Sequence, residues 1–144
     1  MRPPVDQALR TLAGTLMTPA AGGAEFAQAT AEMIGVLLVF AATDADRGAE
    51  VREGENRAMR ELFAAASRRI PDADLRARLL EASRSKDASR LVADLDAAND
   101  ALKRLLIELH AAVEESRNLA DLDREIWRLY RRFADGRALP SMPF

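Results

Sequence analysis

The sequence predicts an all-α fold: one helical bundle of about six helices, with long antiparallel core helices and two short ones across their ends. Three observations lead there. Apolar residues recur at spacings of three and four through most of the chain. No stretch alternates with period two between turn residues. The prolines and most glycines fall between the periodic segments rather than within them. A chain of 144 residues suits one domain and can bury a core without staples. The expected domain is therefore 1–144, with an extended lead over 1–5 and an irregular tail over 137–144.

The first helix starts near Asp6, whose carboxylate can accept from orphan N–H groups, and carries Val5, Leu9, Leu12, Ala13 and Leu16 at helical spacing. Thr18-Pro-Ala-Ala-Gly-Gly23 ends it. The second helix runs from about Ala24 to Arg47 and contains the most apolar stretch of the chain. From Met33 to Ala42 no side chain is charged or strongly polar, so no helix face prefers water. Ten such residues are about half the ~20 needed to span a bilayer. The stretch reads as a buried central helix, and Leu37→Asp at its centre is expected to abolish folding. Gly35 within it costs ~1 kcal/mol against alanine, which points to close helix packing or to a ligand lying on bare backbone.

Asp44-Ala-Asp-Arg-Gly48 reads as a stop, glycine serving as the cap. A third helix then carries Met59, Leu62, Phe63, Ala66 and Ile70 and ends at Pro71. Asp72 caps a short fourth helix with Leu75, Leu79 and Leu80 facing inward. Asp87 is placed as the cap of the fifth and longest helix. There Leu91, Leu95, Ala98, Leu102, Leu105, Leu109 and Ala112 form a seam at spacings of four and three. The sixth helix starts at Asn118 or Asp121 and presents Leu119, Leu122, Ile126, Leu129, Tyr130 and Phe133, before Gly136 and the proline-containing tail.

Composition excludes several functions. A net charge of -2 provides no global field for nucleic acid or anionic lipid. With no cysteine, disulfides, thiolate metal sites and cysteine nucleophiles are all ruled out. The first 17 residues never build the apolar core of a signal peptide, so a cytoplasmic location is expected. Lys86 and Lys103 are the only lysines among 21 basic residues, a bias that fits a GC-rich bacterial genome.

Few residues suggest chemistry. His110 is the only histidine, and Glu114 one turn on can orient it as a base or simply pair with it. A di-iron bundle needs a Glu-x-x-His pair on each of two helices, whereas here Ile107 stands three residues before the one histidine. The zincin motif, the P-loop and the dinucleotide fingerprint are absent. No catalytic residue, cofactor or metal is expected. The sixth helix places Arg124, Arg128, Arg131 and Arg132 beside Trp127 and Tyr130, but Asp121, Asp123, Glu125 and Asp135 dilute the charge, and a solvated face is the plainer reading.

Phe26-Ala-Gln-Ala-Thr-Ala-Glu-Met-Ile34, followed by an acidic break and Glu55-Asn-Arg-Ala-Met-Arg-Glu-Leu-Phe63, resembles the helical hairpin of a small bacterial all-α family of unknown function. The resemblance covers roughly residues 20–65. Members of that family are often encoded near acyl-CoA dehydrogenases and aminoglycoside-phosphotransferase-like proteins. It implies an accessory role near acyl-CoA metabolism and supplies no catalytic residue.

The functional expectation is a non-enzymatic interaction or accessory protein acting as a homodimer, because six helices leave more apolar surface than one chain covers. Phe40, Trp127, Tyr130 and Phe133 are the candidate interface. The alternative is a bundle that binds an apolar or acyl small molecule, with Gly35, His110 and Glu114 as its candidate ligand or polar site. Neither nucleic acid nor membrane is an expected partner.

Overall fold

The apolar periodicity becomes helix almost wherever it occurs. The structure, a computed structural model, describes residues 5–18, 25–116 and 118–138. Among the described residues there are five α-helices and no strand: α1 (Val5–Met17), α2 (Glu25–Ala66), α3 (Ala73–Arg84), α4 (Val92–Glu114) and α5 (Ala120–Gly136). The expected lead up to Pro4, the glycine-containing break after Thr18 and the tail from Leu139 lie outside these residues.

The expected count of six becomes five because the second and third helices are one. Asp44-Ala-Asp-Arg-Gly48 does not stop α2, which runs for 42 residues in all, to Ala66. The stretch holds no proline, and a helical glycine costs only ~1 kcal/mol, too little to break a helix anchored on both sides. The end after Ala66 is as expected, the last turn loosening before Pro71. The Asp72 carboxylate then accepts from Leu75 N–H at 2.7 Å and caps α3. Asp87 caps nothing: α4 begins five residues later, and Asp87 pairs instead with Arg60 and Asn56. Two guanidinium N–H groups hold a carboxylate more strongly than one orphan backbone N–H does.

The chain divides into two compact units, residues 1–49 and 50–144, the division falling within α2. In the first unit α1 packs on α2 at Gly35. A Cβ there would meet Met17 Cγ at 2.5 Å and the Ala13 carbonyl oxygen at 3.2 Å. The missing side chain is what lets α1 approach so closely.

The second unit is a helical bundle with one apolar core. Met59 and Phe63 from α2, Leu79 from α3, Leu106 and Leu109 from α4, and Leu122 and Ile126 from α5 are at most 1% exposed. On α4 the buried stripe is Leu95, Asn99, Leu102, Leu106, Leu109 and Val113. The seam is thus turned slightly from the expected one; Leu91 is 69% exposed and Leu80 on α3 also faces outward.

The largest departure from expectation lies in the first unit. Met33, Ile34 and Leu37 are 67%, 44% and 58% exposed, and 11% of the most apolar 18-residue window of α2 is buried. The chain's most apolar run is not its core. Thirteen-residue α1 packs on one side of α2, at Gly35, and the second unit has a core of its own. By length and composition α2 is long and apolar enough to cross a membrane.

Candidate functional site

The uncovered face of α2 is the most distinctive surface of the molecule. At about 100° per residue, Phe26, Ala29, Met33, Leu37 and Phe40 fall on one stripe, on the side of the helix opposite Gly35. Phe26 is 85% exposed, Met33 and Leu37 more than half exposed, and Phe40 half-buried. α1 adds Val5 and Leu12, 66% and 54% exposed. Single exposed apolar residues need no explanation, but a contiguous stripe of four large ones does. The spacings along it, three, four, four and three, are symmetric about Met33.

Among the described residues, the second unit holds two clusters of interacting polar side chains. In the first, His110 on α4 faces α5. The His110 Nε2 lies 3.1 Å from Asp123 Oδ1 and 3.7 Å from Glu114 Oε1, and the Tyr130 hydroxyl lies 3.4 Å from Nδ1. A neutral ring with its proton on Nε2 satisfies both neighbours, donating to Asp123 and accepting from Tyr130. Trp127 meets the imidazole edge-on at 5.4 Å and Tyr130 at 5.7 Å. Burial, with help from Glu114, pushes the Tyr130 hydroxyl above its ordinary pKa. The structure therefore brings His110, Glu114, Trp127 and Tyr130 together. Gly35 and Phe40 belong to the first unit, and Phe133 is sequestered in the second unit's core, 9% exposed, with Lys103 Nζ 5.7 Å from its ring centre. The contacts with Asp123 and Tyr130 orient the His110 ring. Among the described residues no group of three histidine, aspartate or glutamate side chains is placed to hold a metal ion.

The second cluster is a buried polar layer that sequence reasoning missed. Glu55 is 4% exposed, Asn56 0% and Asn99 2%. Arg137, just after α5, donates to both Glu55 oxygens at 2.6 and 2.8 Å, and Lys103 Nζ lies 3.2 Å from Oε2. Asn99 Nδ2 donates to Glu55 Oε2 and to Asn56 Oδ1 at 3.0 and 2.9 Å. Asn56 in turn donates to Asp87 and to the Leu95 carbonyl. Arg60 closes the chain with two bonds to Asp87, at 3.1 and 2.7 Å. Burial pushes the Glu55 carboxyl up, but the bonds from Arg137, Asn99 and Lys103 outweigh it and leave the pKa below its ordinary value. Arg60 chiefly, against the opposing effect of burial, holds Asp87 low as well.

No buried side-chain nitrogen or oxygen among the described residues lacks a partner. The layer is closed upon itself and is a device for fixing how α2, α4 and the end of α5 meet. One signal for it was present. Asn56, Met59, Phe63, Ala66 and Ile70, and Leu95, Asn99, Leu102, Leu106, Leu109 and Val113, are unbroken three-four seams once asparagine is admitted to them.

Comparison of the chain with protein-family models, with curated proteins and with solved structures returned no match.

Proposed function

We propose that this chain is a non-enzymatic interaction protein that assembles as a homodimer, α2 pairing with α2 of a second copy through the Phe26–Phe40 stripe. The observation that carries the reading is the symmetry of that stripe. In an antiparallel pair with its two-fold axis at Met33, Phe26 of one copy meets Phe40 of the other, Ala29 meets Leu37, and Met33 meets itself. Large residues face small or mutually stacking ones, and one patch serves both copies, as a closed two-fold interface requires. A single helix pair also covers the face that α1 leaves open.

The charges around the stripe favour a protein over a bilayer. From Gly22 to Asp46 the chain carries Glu25, Glu32, Asp44 and Asp46 and no basic residue. Helices that lie on or anchor in membranes carry lysine and arginine at the lipid headgroups. The closed hydrogen bonding of the Glu55 layer and of His110 supports a scaffold role for the second unit rather than catalysis.

Cysteine chemistry gives the test, since the chain has none of its own. Met33→Cys sits on the proposed axis and is expected to form an interchain disulfide almost completely under mild oxidation. Arg131→Cys, exposed on α5, is expected to remain monomeric under the same conditions. Equal cross-linking of the two variants, or none at Met33→Cys, would remove this arrangement.

A further inference from the structure

Three open grooves of the second unit differ in the charge that lines them. One, of about 330 Å³ between α2 and α5, sets Arg128 and Arg132 against Glu61 and Glu125. Another, of about 600 Å³ along α3 and α4, carries Arg60, Arg78, Lys86 and Arg104 with Glu81 and Glu108; Arg78 is paired to Glu108 at 2.6 Å and Arg60 to Asp87 at 2.7 Å. The third, of about 730 Å³ between the end of α2 and one face of α3, is lined by Arg68, Arg76 and Arg84 and by no acid. Its walls are otherwise alanine, serine and Leu80. This groove carries three positive charges on a chain whose net charge is -2.

Helix geometry explains the sorting. On α3, Leu75 and Leu79 turn into the core, and Asp74, Arg78 and Glu81 lie away from the groove. Arg76, Leu80 and Arg84 recur at i, i+4 and i+8 on the remaining face, and Arg68 stands across from them on the turn after α2. Elsewhere in the unit several arginines are paired across elements, Arg52 with Asp96, Arg60 with Asp87, Arg69 with Glu125 and Arg137 with Glu55. Among the described residues Arg68, Arg76 and Arg84 have no carboxylate partner.

We propose that this groove binds a small phosphorylated organic molecule. The guanidinium forks of Arg76 and Arg84, with Arg68 opposite, hold the phosphate, and the Ala77–Leu80 wall takes the carbon skeleton beside it. Guanidinium matches phosphate oxygens with paired, charge-assisted bonds, and a phosphate monoester brings nearly two negative charges at neutral pH. The volume lies within the ~300–1,000 Å³ usual for small-ligand sites. The mixed composition of the walls selects a ligand with both an anionic and an apolar part over a bare anion.

The full chain titrated with phenyl phosphate, inorganic phosphate and phenol, followed by the Nε–Hε resonances of its arginines, provides the test. Phenyl phosphate is expected to shift the Arg68, Arg76 and Arg84 signals saturably with a Kd below about 1 mM. Inorganic phosphate should bind more weakly at the same residues, and phenol should leave them unmoved. Arg76→Gln, a surface change that leaves folding intact, should weaken phenyl phosphate about tenfold or more, while Arg104→Gln in the neighbouring groove should not. Absence of saturation, equal loss in Arg104→Gln, or shifts spread evenly over all arginines would each overturn the proposal, the last two marking unspecific attraction of an anion to positive charge.

Discussion

Among the described residues of 1–49 the buried apolar side chains are Ala13 and Ala42. In residues 50–144 they are Met59, Phe63, Ile70, Leu79, Leu106, Ile126 and their neighbours. Yet the first segment holds the longer apolar run. Hydropathy states how much a segment gains from cover; it does not supply the cover. The second unit has three further helices to pack on the end of α2, and a polar layer that fixes how they meet. Among its described residues the first has one short helix beside α2, seated on Gly35, and Phe26, Met33 and Leu37 on the opposite side of α2 are exposed. A segment that wants burial and lacks an intramolecular partner is poised for an intermolecular one.

Substitution of large side chains should separate the two units most sharply. Phe63→Ala removes a fully buried ring and is expected to cost about 3–5 kcal/mol, a large part of a domain's stability, so the melt of the second unit should fall steeply. Leu37→Asp, in the more apolar run, is expected to leave that melt in place, because Leu37 is 58% exposed. Circular dichroism on both variants decides it; a collapse of the second unit in the Leu37→Asp protein would mean that its stability depends on this face of α2 after all.

Next in size is the polar layer. Glu55→Gln strips the carboxylate from Arg137 and Lys103. A loss of about 2 kcal/mol is expected, less than the ~3–5 kcal/mol for a wholly buried pair, because Arg137 and Lys103 are 45% and 35% exposed and water screens them. The same carboxylate gives the second unit an acid limb. Glu55 and Asp87 titrate lower folded than unfolded, so the unfolded chain binds more protons as pH drops. Their contribution is fully present above the ordinary carboxylate values near ~4 and is lost as pH falls through the depressed folded values. Urea titrations across that range should show a flatter acid limb in Glu55→Gln than in the wild type.

Two glycines of α2 give the smallest contrast. Gly54 has nothing within 4 Å of an added Cβ, so Gly54→Ala should stabilise the second unit by about 0.5–1 kcal/mol. At Gly35 the same propensity gain is offset by crowding against Met17 and the Ala13 carbonyl oxygen, which costs about 1–3 kcal/mol. Gly35→Ala should therefore loosen α1. Hydrogen exchange in α1 reads the effect directly, and slower exchange there would contradict the close approach.

These contrasts also mark what the sequence discloses. The helical class, the Asp72 cap and the inward face of α5 follow from local spacing and are legible in it, and the seam of α4 is legible only in part, at Leu95, Leu102 and Leu109. The continuity of α2 is not, because Gly48 and its acidic neighbours permit a stop without imposing one. The exposure of Met33 and Leu37 is not legible either, since it depends on where other helices go. Asp87 suits a cap locally and is taken by Arg60 from 27 residues away. Of the candidate site, His110 with Glu114 could be seen one turn apart on a helix, whereas Asp123 and Tyr130 join them only through tertiary packing. Arg137, placed in an irregular tail by its sequence, closes the Glu55 layer from 82 residues away.

The comparison between the two units turns on whether the open face of α2 meets a second copy. Sedimentation equilibrium of the full chain at micromolar concentration measures that without assumptions about shape. The expected mass is twice the 15.8 kDa of the chain, returning to 15.8 kDa in Leu37→Glu with the melt of the second unit unchanged. A wild-type protein that stays at 15.8 kDa across the range would contradict it.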